Sequence, residues 1–139
     1  MTPQSNGWEH IGPHPIRFEA PDIVFCRPIG RLSAADVRGV LDFNTTIAKR
    51  LGRGTFYLGD SSRITGYSIA SSLQLFQATP AESLRGTAIF GESFHQRVQN
   101  SAVLRGIRLL AHPLSRLPIE TFPSEAEARA WIDEQRRKG

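Results

Sequence analysis

The chain has 139 residues, a length that suits one domain with a buried core rather than a disulfide-stapled fragment. Forty per cent hydrophobic and 22% charged residues exclude a disordered chain, and no stretch approaches the apolar length of a membrane span. The net charge of +4 is modest, but residues 85 to 116 hold Arg85, Arg97, Arg105, Arg108 and Arg116 against Glu92 alone, a local surplus equal to that of the whole chain.

The single cysteine, Cys26, has no intramolecular partner and sits in the apolar run Ile23-Val24-Phe25-Cys26, where a thiol behaves as a small buried hydrophobe. With Pro3, Pro13, Pro15, Pro21 and Pro28 interrupting the first thirty residues, no export signal is expected and a cytoplasmic location follows. The basic segment lacks interleaved aromatics and any nucleic-acid signature, so nucleic acid is not the expected partner.

Residues 1–15 are rich in Pro, Gly, Asn and His and are expected to form an irregular arm ahead of a domain spanning 16–139. His14 to Ala20 and Asp22 to Arg31 are β-type runs separated by the turn pair Pro21-Asp22, which predicts an initial hairpin. Ser33 can cap a helix whose apolar residues Val37, Val40, Leu41, Ile47, Ala48 and Leu51 recur at helical spacing, with Asp36 in the first turn and Gly52 and Gly54 at its end. Thr55-Phe56-Tyr57-Leu58 is too short for a helix and suits a buried strand, with Asp60 just beyond it. A second helix is predicted from Ser68 to the break at Pro80, a strand over Leu84 to Phe90, and a third helix from Ser93 with Phe94, Val98 and Ala102 on one face. Leu117 to Phe122 closes the strands, and the capping box Ser124-Glu125-Ala126-Glu127 opens a terminal helix with basic residues in its last turn. The alternation predicts an α/β domain: an initial β-hairpin and a mostly parallel central sheet of four to five strands, covered by about four helices.

Motifs for chemistry are incomplete. Gly91-Glu92-Ser93 begins like a nucleophile elbow, but His95 stands where the second glycine belongs, which leaves only a bare Ser93/His95 pair for a hydrolase. Gly86 to Gly91 has the outer spacing of a phosphate loop, yet Glu92 replaces its lysine. His10 and His14 would share a metal only on a helix, which Gly12 and Pro13 forbid. Neither catalysis nor a cofactor or metal is therefore expected.

From Asp22 to the C-terminus the chain resembles a STAS domain, the fold of bacterial anti-sigma-factor antagonists and of the cytoplasmic tails of sulfate-type transporters. The resemblance rests on the strand and turn Phe56-Tyr57-Leu58-Gly59-Asp60-Ser61-Ser62-Arg63-Ile64-Thr65 before a helix at Ser68, and on the ending Glu120 to Ile132, which is similar to that of stand-alone STAS-like bacterial proteins. In that family a strand ends in Asp, a short loop carries Ser, and an Asp-Ser-Ser-Gly turn leads into a helix whose phosphorylated serine controls partner binding. Here that turn reads Ser68-Ile69-Ala70-Ser71, so the candidate phosphoacceptor becomes Ser68, where a helix N-terminus would favour a phosphate.

The resemblance implies a non-catalytic regulatory module of bacterial signalling. It would dock a protein partner, or a second copy of itself, through the loop and helix after the third strand: Asp60, Ser62, Arg63, Thr65, Tyr67 and Ser68. The alternative is a carrier or sensor of a small anionic or lipid ligand held by Ser93, His95, Arg97, Arg105 and Arg108.

Overall fold

A computed structural model describes residues 7–67, 81–93, 98 and 119–138. Ile23–Cys26 is buried at every position, the pattern of a strand covered on both faces. This strand, β3, sits inside a six-stranded sheet formed with β1 (Glu9–Ile11), β2 (His14–Glu19), β5 (Thr55–Asp60), β7 (Leu84–Phe90) and β8 (Ile119–Phe122), in the order β1-β2-β3-β5-β7-β8. β1, β2 and β3 pair antiparallel, while β3, β5, β7 and β8 pair parallel. The initial hairpin forms as β2 and β3, joined through a cis Ala20–Pro21 bond.

Alternation along the strands divides the core. Ile23 and Phe25 of β3, Phe56 and Leu58 of β5, and Ala88 and Phe90 of β7 face α2 (Glu125–Lys138), which buries Ala128 and Ile132 against them. On the other side Ile16, Val24 and Cys26 meet Val40 and Ile47 of α1 (Ala34–Leu51). Helix α1 carries the expected cap, strengthened into a reciprocal box: the Ser33 hydroxyl accepts from the Asp36 N–H, and the Asp36 carboxylate accepts from the Ser33 N–H, both at 3.1 Å. Gly52 ends it at φ 70°, a left-handed conformation that only glycine adopts without cost. At α2 the Ser124 hydroxyl accepts from the Glu127 N–H at 3.3 Å.

Helix α1 is fastened to the sheet by polar bonds as well. Buried Asn44 donates to the Ser83 carbonyl at 3.1 Å and accepts from the Thr55 hydroxyl, which satisfies an amide that would otherwise be costly to bury.

Several expectations need correction. The central sheet has six strands rather than four to five, because Glu9–Ile11, inside the stretch expected to be an irregular arm, turns at Gly12 (φ 58°) and pairs with β2. The run expected to extend from Asp22 to Arg31 is two strands: β3 stops at Cys26, and β4 (Gly30–Leu32) leaves the main sheet to pair parallel with β6 (Ile64–Tyr67). Pro28 has no N–H for a ladder and Gly30 takes φ 75°, so the chain turns away between them. Two α-helices, not four, lie among the described residues. The helices expected after Ser68 and Ser93 fall on residues outside them, apart from Ser93 itself and Val98, which is helical and 54% exposed rather than turned to the core.

Candidate functional site

The strands β3 and β5 run parallel, so their C-terminal ends, Arg27-Pro28-Ile29 and Asp60 onward, emerge side by side. Ligands of open α/β sheets collect at such ends. The turn after β5 is tied down at every step. The Ser61 N–H donates to the Phe90 carbonyl at 2.9 Å, which attaches the turn to the end of β7. The Asp60 carboxylate accepts from the Ser62 N–H at 2.9 Å, an Asx turn, and the Arg63 carbonyl accepts from the Gly30 N–H at 2.8 Å. Gly91, at φ 79°, lies so close that a Cβ there would stand 3.1 Å from both the Asp60 carboxylate and the Ser62 Cβ.

This scaffold presents Ser62, Arg63 and Thr65 to solvent. Thr65 and Tyr67 do not lie in a loop as expected: both belong to β6, where Tyr67 pairs with Leu32, because β4 offers this segment a strand to bond. Ser68 lies outside the described residues. Asp60, Ser62 and Arg63 are therefore brought together at the end of β5, while Thr65 and the backbone of Tyr67 follow on β6 in the two-stranded sheet with β4.

Beside the turn opens a cleft of about 550 Å³. Trp8, Pro15, Pro28 and Ile29 form its apolar wall, and His10, Arg27, Asp60, Ser62 and Arg63 its polar one. Sequence reasoning missed Trp8, His10 and Arg27 here, because only the pairing of β1 with β2 carries the first two residues to the ends of β3 and β5. The Arg27 guanidinium lies 4.9 Å from the Phe25 ring centroid and 5.4 Å from that of Trp8. Its nitrogens come no closer than 3.9 Å to the Asp60 and Glu125 carboxylates.

Neighbouring arginines are spent differently. Arg17 crosses the Trp8 ring at 4.4 Å and donates to Glu19 at 2.7 and 2.9 Å. Arg129 donates to Glu19 at 2.8 Å and to Glu125 at 2.9 Å. Arg85, part of the basic surplus noted in the sequence, binds Asp22 at 3.1 Å across the Phe56 ring and is no free surface cation. Of the residues expected to hold an anion, Ser93 is exposed, while His95, Arg97, Arg105 and Arg108 lie outside the described residues.

Two groups with the makings of chemistry are structural. His14, expected in the arm, is fully buried: its Nδ1 accepts from the Ile29 N–H at 3.0 Å, so Nε2 carries the proton and donates to Asp36 at 3.0 Å. With both nitrogens engaged it has no lone pair left for a substrate. Burial pushes the Cys26 thiol up to about 11, against a hydrogen bond with Tyr57, so it is the opposite of an activated nucleophile. Among the described residues no three His, Cys, Asp or Glu side chains gather in a metal-binding group.

No family model and no curated protein matches this sequence. The solved structures that share its architecture include the following two. One is an uncharacterized protein of the DUF3478 family with a SpoIIAA-like fold from Shewanella loihica PV-4, at a TM-score of 0.58 and 16% identity over 84% of this chain and 90% of that one. The other is the anti-sigma factor antagonist SpoIIAA in its unphosphorylated form, at a TM-score of 0.56 and 16% identity over 85% of this chain and 96% of that one. The fold is thus SpoIIAA-like, the STAS-type architecture that the sequence resembles.

Proposed function

We propose that this SpoIIAA-like chain is a regulatory protein-interaction module without catalytic activity, and that it docks its partner through the turn after β5 and the strand that follows. The observation that carries the reading is the turn itself: four backbone and Asx hydrogen bonds hold Asp60 to Ile64 rigid while Ser62, Arg63 and Thr65 stay exposed. A preorganised surface loses little conformational freedom on binding, and an exposed arginine is a frequent anchor of interfaces. One of the similar structures is an anti-sigma factor antagonist in an unphosphorylated form, which supports a regulatory role and a switch by phosphorylation. In this reading the switch is Ser68, just past β6, and Tyr67 and Ser68 extend the docking face. The partner is a bacterial signalling protein in the cytoplasm, and a second copy of the chain can use the same face.

Capture from the lysate of the source organism, read by mass spectrometry, tests the proposal. The wild type should retain a specific partner that the Arg63→Glu, Ser68→Glu double variant loses with its circular dichroism unchanged. Equal capture by both proteins would overturn the docking face.

A further inference from the structure

The cleft beside the turn holds a feature that docking does not use. The other arginines that stack on rings in the described residues, Arg17, Arg85, Arg129 and Arg136, all hydrogen-bond to carboxylates at 3.1 Å or less. Arg27 does not. Stacking beside Phe25 and Trp8 fixes its position, yet among the described residues its guanidinium makes no hydrogen bond and meets carboxylates only at 3.9 Å. Arg63, on the same cleft, forms no ion pair among the described residues. Two guanidinium groups with unspent donors therefore line one cleft, joined by His10 and the Ser62 hydroxyl.

Asp60 on the cleft wall and Glu125 beside it both face Arg27 at 3.9 Å, and neither hydrogen-bonds its guanidinium. Asp60 spends one oxygen on the Ser62 N–H at 2.9 Å, and its other oxygen faces Arg27 at 3.9 Å. An oxyanion seated between the arginines would approach Arg27 more closely than Asp60 does. Trp8, Pro15, Pro28 and 39%-exposed Ile29 add uncharged lining to the same cleft, and the volume of about 550 Å³ lies in the range of small-molecule sites. We infer that this cleft binds a phosphomonoester carrying a small apolar or aromatic body, with Arg27 and Arg63 on the phosphate and the body against Trp8 and Ile29. The inference shares Arg63 and Ser62 with the docking face but does not rest on that reading: it concerns a small molecule, and Arg27 and Trp8 lie outside the proposed docking residues.

Amide and indole NMR shifts of the full chain, titrated with phenyl phosphate, inorganic phosphate and phenol at constant ionic strength, test it. Phenyl phosphate should give saturable shifts at Trp8, Ile29 and Ser62, inorganic phosphate the same shifts more weakly, and phenol none. Arg27→Gln and Arg63→Gln should each weaken phenyl phosphate binding about tenfold, the loss of one charge-assisted hydrogen bond. Absence of saturation at tens of millimolar, shifts centred elsewhere, or unchanged binding in the variants would each overturn the inference. Should Arg27→Gln not fold, Arg63→Gln decides, since no ion pair in the described residues is lost with it. Lost phosphate binding in Arg27→Gln with partner capture intact separates this site from the docking face.

Discussion

Asp22 has no accessible surface and carries a charge, a combination tolerated only when the charge is paired. Arg85 reaches it at 3.1 Å, Arg136 at 2.5 Å, and both guanidinium groups lie over the Phe56 ring. Asp22→Ala should lower the unfolding free energy by about 3 kcal/mol, the low end for breaking a buried pair, because both arginines keep some contact with water. Urea unfolding at neutral pH measures it; a loss below a few tenths would show that the pair contributes nothing. In the sequence Asp22 reads only as a turn residue after Pro21. Its partners stand 63 and 114 residues away, and nothing local to any of the three announces the triad.

Among the elements, the junction of β5 with the turn before β7 is closed by backbone. A Cβ on Gly54 would stand 2.8 Å from the Glu82 carbonyl and 3.2 Å from the Leu84 N–H, both backbone atoms that cannot swing aside. Gly54→Ala should therefore cost about 2 kcal/mol, as overpacking does, rather than stabilise by stiffening the unfolded chain. A melting temperature equal to or above that of the wild type would contradict this. Elements were legible where their signals are local. Ser33, Asp36 and Gly52 mark the ends of α1 because capping is a matter of a few adjacent residues, and Leu84 to Phe90 forms the strand expected of it. β1 and β4 were not legible as strands of a sheet, since three residues carry too little periodicity and only their neighbours make them extended.

At the scale of the whole molecule, two carboxylates among the described residues are held below their usual range and shape the response to acid. The His14 hydrogen bond, with the Ser33 N–H, holds Asp36 below its usual 3.8. Burial alone would raise Glu19, but hydrogen bonds from Arg129 and Arg17 outweigh it and hold the carboxyl below 4.5. A depressed folded value means stability that is fully present above the ordinary values and lost as pH falls through the folded ones. The melting temperature should thus stay level down to about pH 5 and fall steadily below about pH 4. Asp36→Asn should melt lower at neutral pH and lose less on acidification; an acid limb parallel to that of the wild type would refute the assignment to Asp36.

The hairpin of β2 and β3, the strands β5 and β7, the caps of both described helices and the burial of Cys26 followed from the sequence by itself, because periodicity, capping and thiol burial are decided within a few residues. The resemblance carried by Phe56 to Thr65 pointed to the fold for the same reason, and it placed Asp60, Ser62 and Arg63 together in one turn. Only the tertiary structure decided what surrounds that turn. Trp8 and His10 reach it because β1 closes on β2, Arg27 meets Glu125 only at 3.9 Å while Arg129 hydrogen-bonds that carboxylate, and His14 is sealed between Ile29 and Asp36. Each of these depends on contacts between residues far apart in the chain, and such contacts leave no mark in the local pattern of the residues that make them.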